Sequence, residues 1–419
     1  MKTIERFTFV LVLIAFCYSA SAQFTLSGEF RPRTEYRHGF STLIADQEKA
    51  AFFTSQRTRL NLRYAKDELS FYVSLQDIRV WGEVPQLNRS DINTSVHEAW
   101  AELKLNPQWA LKLGRQQLVY DNARILGNVD WAQQARSHDL ALLKWKGDGN
   151  SQFHAGFAFN QDSERRVNTT YTVNSYKTMQ FLWYNYKTPN TGISLLFLNN
   201  GIQHSIDKTV FSQTTGGRLT QKLGAVDLAG SAYLQTGRDG ANRKLSAFYL
   251  AAEGGYTFSD KFKGALGMEF LSGTDFININ NNAATNRSFN PLFGTNHAFN
   301  GHMDYFFVGN HINNVGLINP YIHTQYTQGK FTLMGHFHLF FADGELPIIY
   351  MPINNRDKFL GSEVDLIAAY TFSPVTSLRV GYSHLFPTEN LEFVKGVNTS
   401  KANNWAWVMV ILRPTFFSN

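Results

Sequence analysis

A chain of 419 residues with 43% hydrophobic, 17% charged and 15% aromatic residues is short of charge, against a usual share of about 25%, and rich in rings. That composition excludes a disordered chain, a collagen and a coiled coil. A net charge of +6 is too mild to mark a nucleic-acid partner.

The chain opens with Lys2 and Arg6, then an apolar run from Phe7 to Tyr18, then the small-residue site Ala20-Ser21-Ala22. Residues 1–22 are therefore expected to be a signal peptide cleaved after Ala22, the run being shorter than the ~20 apolar residues of a membrane helix. Cys17, the only cysteine, leaves with it. The exported chain then has no disulfide, thiol nucleophile or cysteine-ligated zinc. No later segment offers about 18 uninterrupted apolar residues, and residues 23–419 are expected to form one domain.

From Gln23 onward the chain alternates with period 2, strand after strand. Arg57, Arg59, Asn61 and Arg63 alternate with Thr58, Leu60, Leu62 and Tyr64. Arginines on one face and aliphatics on the other fit a wall between water and lipid, not a dry sandwich core. Leu69 to Gln76, Glu98 to Leu105, Val226 to Gln235 and Lys261 to Phe270 repeat the pattern. Leu140 to Trp145 and Trp405 to Leu412 are apolar on both faces, which parity alone does not explain.

Connections alternate in length. Short ones fall at Ala65 to Glu68, Asn106-Pro107-Gln108, Gly147 to Asn150, Thr188 to Thr191, Leu223-Gly224-Ala225, Ser259-Asp260-Lys261, Thr327-Gln328-Gly329 and Ser373 to Thr376. Longer polar segments lie between, among them His38 to Gln56, Trp81 to Ser95, Tyr120 to Ser137, Asn160 to Ser175, Gly273 to Leu317, Ala342 to Phe359 and Pro387 to Asn403. Tyr64, Trp145, Tyr184, Tyr186, Tyr256, Phe258, Tyr326, Tyr370 and Phe372 gather just before the short turns, as an interfacial girdle would. The expected fold is an all-β transmembrane antiparallel up-and-down barrel of about 18 strands, with short periplasmic turns and long external loops. The stretch Asp304 to Val308 is open as a further strand, and the 273–317 loop is open as a plug or an outer flap.

Two readings apply to the inward basic residues. Arg57, Arg59 and Arg63, with Arg33, Arg37, Lys112, Arg115, Arg124 and Arg136 nearby, either concentrate anions along a pore or pair with Glu35, Glu98, Glu102, Asp121 and Asp139 and brace the wall. The segment from Gly114 to Asp139 carries Arg, Asp and Trp131 in the proportions of a constriction loop, or of a solvated external one. His336 and His338 share a strand face, but no third ligand stands beside them in sequence, so no metal or other cofactor is expected. No Gly-x-Ser-x-Gly elbow or paired-carboxylate signature points to an enzyme.

Leu113-Gly114-Arg115-Gln116, Tyr120-Asp121, Arg124-Ile125-Leu126-Gly127, Trp131, Gln133, Arg136 and His138-Asp139 resemble the alginate-export family of Gram-negative outer-membrane barrels. Pro291-Leu292-Phe293-Gly294-Thr295-Asn296-His297, Phe299, Gly301 and Met303-Asp304-Tyr305 extend the likeness. The resemblance implies an 18-stranded monomeric porin of the outer membrane, passing an anionic polysaccharide through an arginine-lined lumen gated by in-folded loops. Arg115, Asp121, Arg124, Trp131 and Arg136 would belong to its constriction. The chain departs from secretion members in being shorter, with trimmed loops and modest charge. The expected function is passive, anion-biased passage of an acidic saccharide or small anionic solute along Arg57, Arg59, Arg63, Lys112, Arg115, Asp121, Arg124, Trp131, Arg136 and Asp139. The alternative is a general diffusion porin; an outer-membrane enzyme stands third. Partners would be outer-membrane lipids, the solute, and periplasmic export or import proteins, with no nucleic acid.

Overall fold

The computed structural model describes residues 23–91, 93–147, 149–173, 176–276, 284–311, 313–346 and 357–419. The expected signal peptide lies outside the described residues. The first strands are β1 Gln23–His38, β2 Ala51–Lys66, β3 Leu69–Val80, β4 Thr94–Lys104, β5 Trp109–Gln116 and β6 His138–Lys146. Next come β7 Ser151–Phe159, β8 Thr178–Lys187, β9 Thr191–Ser205, β10 Lys208–Leu223, β11 Val226–Arg238, β12 Lys244–Thr257 and β13 Phe262–Leu271. A two-residue β14, Thr285–Asn286, sits in a loop. The wall resumes with β15 Leu317–Gln328, β16 Phe331–Phe341, β17 Phe359–Ser373, β18 Thr376–Pro387 and β19 Asn403–Leu412, and β20 Thr415–Ser418 continues β19 beyond Pro414.

Each wall strand pairs antiparallel with its neighbour in sequence, and β1 closes the ring against β19 through Phe30↔Leu412 and Tyr36↔Ala406. The result is a closed barrel of 18 staves with no free edge. Asp304 to Val308 adds no strand. Strand β2 begins at Ala51 rather than Arg57, because Phe52 to Gln56 continue the same alternation against β1.

Side-chain parity follows the solvent on each side. Leu60, Leu195, Leu234, Leu250, Leu266 and Leu366 are exposed on the outer face, while the alternating residues point into the lumen. Tyr256, Phe258, Tyr326, Tyr370 and Phe372 are also outward and exposed near the short turns. The chain's closing Phe416 and Phe417 join this girdle, and Phe417 pairs with Leu26 at the seam.

Strict alternation of short and long connections fails at two places on the long-loop end. Only Ile206-Asp207 joins β9 to β10, and residues 239–243 join β11 to β12. In the first case the chain length went into the strands, of 15 and 16 residues, so that the hairpin itself protrudes.

The apolar inner faces that parity did not explain now have partners. Trp405, Trp407, Met409 and Ile411 of β19, and Leu140 and Leu142 of β6, point inward and are buried. Loops folded into the lumen supply the apolar surface that covers them.

Candidate functional site

Two long loops fill part of the lumen, the 117–137 loop between β5 and β6 and the described residues of the 272–316 loop between β13 and β15. These are the two segments that carried the family resemblance. They meet in a short parallel pairing, Leu126↔Phe293. Gly127 N donates to Phe293 O at 2.8 Å, Phe293 N to Ile125 O at 3.1 Å and Thr295 N to Ala123 O at 2.8 Å. The approach requires glycine: a Cβ on Gly294 would stand 2.1 Å from Arg124 O, and one on Gly127 would stand 2.3 Å from Thr295 Oγ1. Left-handed backbone at Asp121, Ala123, Val129, Ala135, Leu292, Asn300 and Asp304 clusters in the same two loops. Such conformations persist only where surrounding contacts over-determine them.

Those contacts come from the arginines of β1 and β2. Arg31 Nη1 donates to Asp130 O at 2.8 Å and its Nη2 to Ala132 O at 3.2 Å. Arg33 Nη1 donates to Trp131 O at 2.7 Å. Arg57 Nε donates to Glu29 Oε1 at 2.6 Å, and its Nη2 ion-pairs with Asp130 at 2.9 Å. Arg59 bonds Gln76, whose amide in turn donates to Gln134 O at 3.2 Å. A guanidinium carries donors in a fixed fork, so a row of them can satisfy the successive carbonyls of an irregular loop that has left water.

Trp131, at the tip of the first loop, is clasped on several sides. Its ring stacks on His297 at 4.5 Å, takes the Arg33 guanidinium over its face at 4.1 Å, and meets Trp407 edge-on at 4.8 Å. Arg124 reaches the opposite wall, donating to Glu269 Oε2 and Asn300 Oδ1, each at 2.9 Å. Arg136 Nη1 donates to Gly294 O at 3.2 Å. Asp121 accepts from Trp183 Nε1 at 3.2 Å and remains exposed to the lumen. Lys112 lies over the Trp100 ring at 3.8 Å on the inner wall.

The expected site divides into groups. Arg57 and Arg124 are 0% and 2% exposed, held in ion pairs where no solute reaches them. Their place is the anchoring of the loops. Arg59 is partly buried in the same anchor, and Trp131 and Arg136 belong to the in-folded loop itself. Arg115 and Asp139 are corrected: they pair with each other at 2.9 Å on the outer face of the barrel, both exposed. Arg115 shares the parity of Leu111 and Leu113, which face lipid, so its strand carries it outward. Arg63 is on the lumen side near the short turns, exposed, with no ion-pair partner among the described residues. Lys263 and Arg379 share that state on other strands.

Space remains on the side of the lumen away from the arginine anchor. A cavity of about 280 Å³ is lined by Asn122, Arg218, Glu253, Glu269, Tyr321 and His323, among others. Another of about 310 Å³, nearer the short turns, is lined by Asp227, Glu253, Lys263, His323 and His336, among others. Sequence reasoning missed this region. Its polar residues lie singly on successive strands, and only the register collects them. The expectation that His336 and His338 lack a third ligand is likewise corrected: His323 stands opposite His336 on β15, and His302 and Asp365 approach it.

A closed 18-stave wall with a lipid-facing apolar belt, aromatic girdle and loops folded into a polar lumen defines an outer-membrane barrel of the porin and channel class. The family model described as alginate export matches residues 22–404, and the chain belongs to that family. Among solved structures the fold is similar to OccAB4 of Acinetobacter baumannii, at TM-score 0.64 and 12% identity over 95% of this chain and 99% of that one. It is also similar to OccK3 (OpdO) of Pseudomonas aeruginosa, at TM-score 0.62 and 13% identity over 94% and 96%. A third likeness is to Pseudomonas aeruginosa OccK2 (OpdF) in complex with glucuronate, at TM-score 0.59 and 14% identity over 94% and 98%. No curated protein matches the chain.

Proposed function

We propose that this barrel lets a small anionic solute of the uronate class diffuse across the outer membrane, without covalent chemistry. The observation that carries the reading is the set of lumen-facing cations near the short turns. Arg63, Lys263 and Arg379 have no ion-pair partner among the described residues, and unpaired inward cations raise the local anion concentration. The arginines of β1 and β2 do not carry it, since they are engaged in holding the loop. Cavities of about 280 and 310 Å³ fall at the small-molecule end of ligand sites, which favours a small acidic sugar over a bulky polymer. The glucuronate complex of the OccK2 barrel lends support by analogy of fold alone.

Planar-bilayer recording tests the reading. Reversal potentials in a salt gradient should show anion preference, and glucuronate should reduce the current where glucose does not. Converting Arg63, Lys263 and Arg379 together to Gln should remove most of that preference. Equal cation and anion permeability in the unaltered protein, with no discrimination between the sugars, overturns the reading in favour of a general diffusion porin.

A further inference from the structure

On β17, separated from β1 only by β18 and β19, the lumen wall holds two buried carboxyl groups that no lysine or arginine neutralises. Glu363 and Asp365 of β17 point inward and are 0% and 1% exposed. Neither has a Lys or Arg within ion-pair distance among the described residues; the Asp365 carboxyl is neighboured by that of Glu363 and approached by His302 and His338, each at 3.9 Å. Among the described residues no N–H or hydroxyl donates to Asp365 Oδ2, while Oδ1 accepts from Ser383 Oγ. Buried carboxylates in proteins are paired, protonated or bound to metal.

Strand register and the in-folded loop together place imidazoles around that carboxyl group. His336 on β16 is directly opposite Asp365 on β17 and His323 on β15. His338 follows two residues along on the same face, and its Nδ1 lies 3.2 Å from Asn319 Oδ1, which leaves Nε2 toward Asp365. His302 arrives from the in-folded 272–316 loop, held there by Met303 N donating to Glu363 Oε1 at 2.8 Å. The donor atoms of His302, His336 and Asp365 lie within 4.8 Å of one another, and so do those of His323, His336 and His338. In a tetrahedral zinc site, bonds of about 2.0–2.1 Å set ligand atoms a little over 3 Å apart, so sub-ångström to ångström shifts of these side chains close the shell.

We infer that His302, His336 and Asp365 bind one divalent transition-metal ion, Zn²⁺ in class, within the lumen, with His323 or His338 as the fourth ligand. Two imidazoles and a carboxylate suit borderline metals rather than Ca²⁺ or Mg²⁺, which take oxygen sets. The Ser383 and Asn319 contacts are the outer-shell bonds that orient such ligands. His323 and His336 also line the open cavity, so the ion enters from the lumen. Because His302 belongs to the loop and the other two to the wall, the ion ties the loop to the wall. The inference does not depend on which solute the channel passes.

The test uses the folded barrel in detergent, stripped with EDTA and titrated with ZnCl₂ by calorimetry, with Co²⁺ absorption as a second probe. One ion per chain is expected, with the intense visible bands of tetrahedral Co²⁺. D365N and H302A should each weaken Zn²⁺ binding at least tenfold, and H336A more, while all three keep the compact band of a folded barrel on an unheated gel. In bilayers, micromolar Zn²⁺ should quieten loop flicker in the unaltered protein and not in H302A. Absence of stoichiometric binding in the unaltered protein overturns the site. Undiminished binding in both D365N and H302A overturns the loop-to-wall assignment.

Discussion

Arg124 and Glu269 form an ion pair of 2.9 Å that is almost wholly buried in the middle of the lumen. One partner is on the 117–137 loop and the other on β13, so the pair joins a loop rooted at one side of the barrel to the wall on another. Asn300, from the second loop, bonds both partners, and Tyr249 donates to the other carboxylate oxygen at 2.6 Å. The in-folded loops and the wall are thus joined by groups that are distant in sequence.

That geometry predicts strong coupling. Arg124→Ala leaves Glu269 buried with only neutral partners, a cost of about 3–5 kcal/mol for breaking one side of such a pair. Urea unfolding in micelles should show it, and a double-mutant cycle with Glu269→Gln should give an interaction energy of about 1–3 kcal/mol. Additive effects would mean that the two groups act independently.

Arg57 predicts a change in the pore rather than in the wall. Arg57→Ala removes the bonds to Glu29 and Asp130 and the bond to Gln133 O. The barrel staves pair through backbone and should persist, while the loop tip carrying Trp131 loses one of its main anchors. Single-channel conductance should rise, with more frequent switching between levels. A selectivity-only role would instead lower anion preference and leave the conductance noise unchanged.

The wall was legible because alternation and turn spacing are local. Arg57 to Tyr64 announces a stave on its own, and all eight short turns fall where the turn residues put them. The lumen was legible only in part. Trp405 and Trp407 look anomalous in sequence because their apolar partner, Trp131, is hundreds of residues away. His323, His336 and Asp365 form one row only through the register of three strands. The family resemblance places Arg115 in the constriction, whereas its parity with Leu113 turns it outward.

The outward position of Arg115 and Asp139 has its own consequence. Both side chains are about half exposed, and exposed pairs contribute about 0–1 kcal/mol. Arg115→Ala and Asp139→Ala should leave conductance, ion selectivity and sugar block unchanged. A shift of reversal potential in either variant would return the pair to the permeation path.

Lys395 predicts how the loops respond to pH. It ends the helix Glu389–Lys395, which Thr388 caps and Gly396 terminates in the left-handed conformation, outside the barrel staves. Its Nζ donates to Tyr305 O at 2.5 Å and Asn310 O at 3.1 Å, tying this helix to the 272–316 loop. Burial pulls the ammonium from its ordinary value of 10.5 down to about 7. Between about pH 7 and pH 10 the undocked lysine therefore binds more protons than the docked one, and docking strengthens as pH rises through that window. Below pH 7 both forms are charged and the burial cost is fully felt, so docking is at its weakest and no longer changes through this group. Loop flicker in single-channel records should accordingly fall from pH 6.5 to pH 9. Lys395→Met carries no titrating group there, and the difference between the two proteins isolates the contribution of this lysine. Identical pH profiles for the two would show that Lys395 titrates in the folded protein as it does in water.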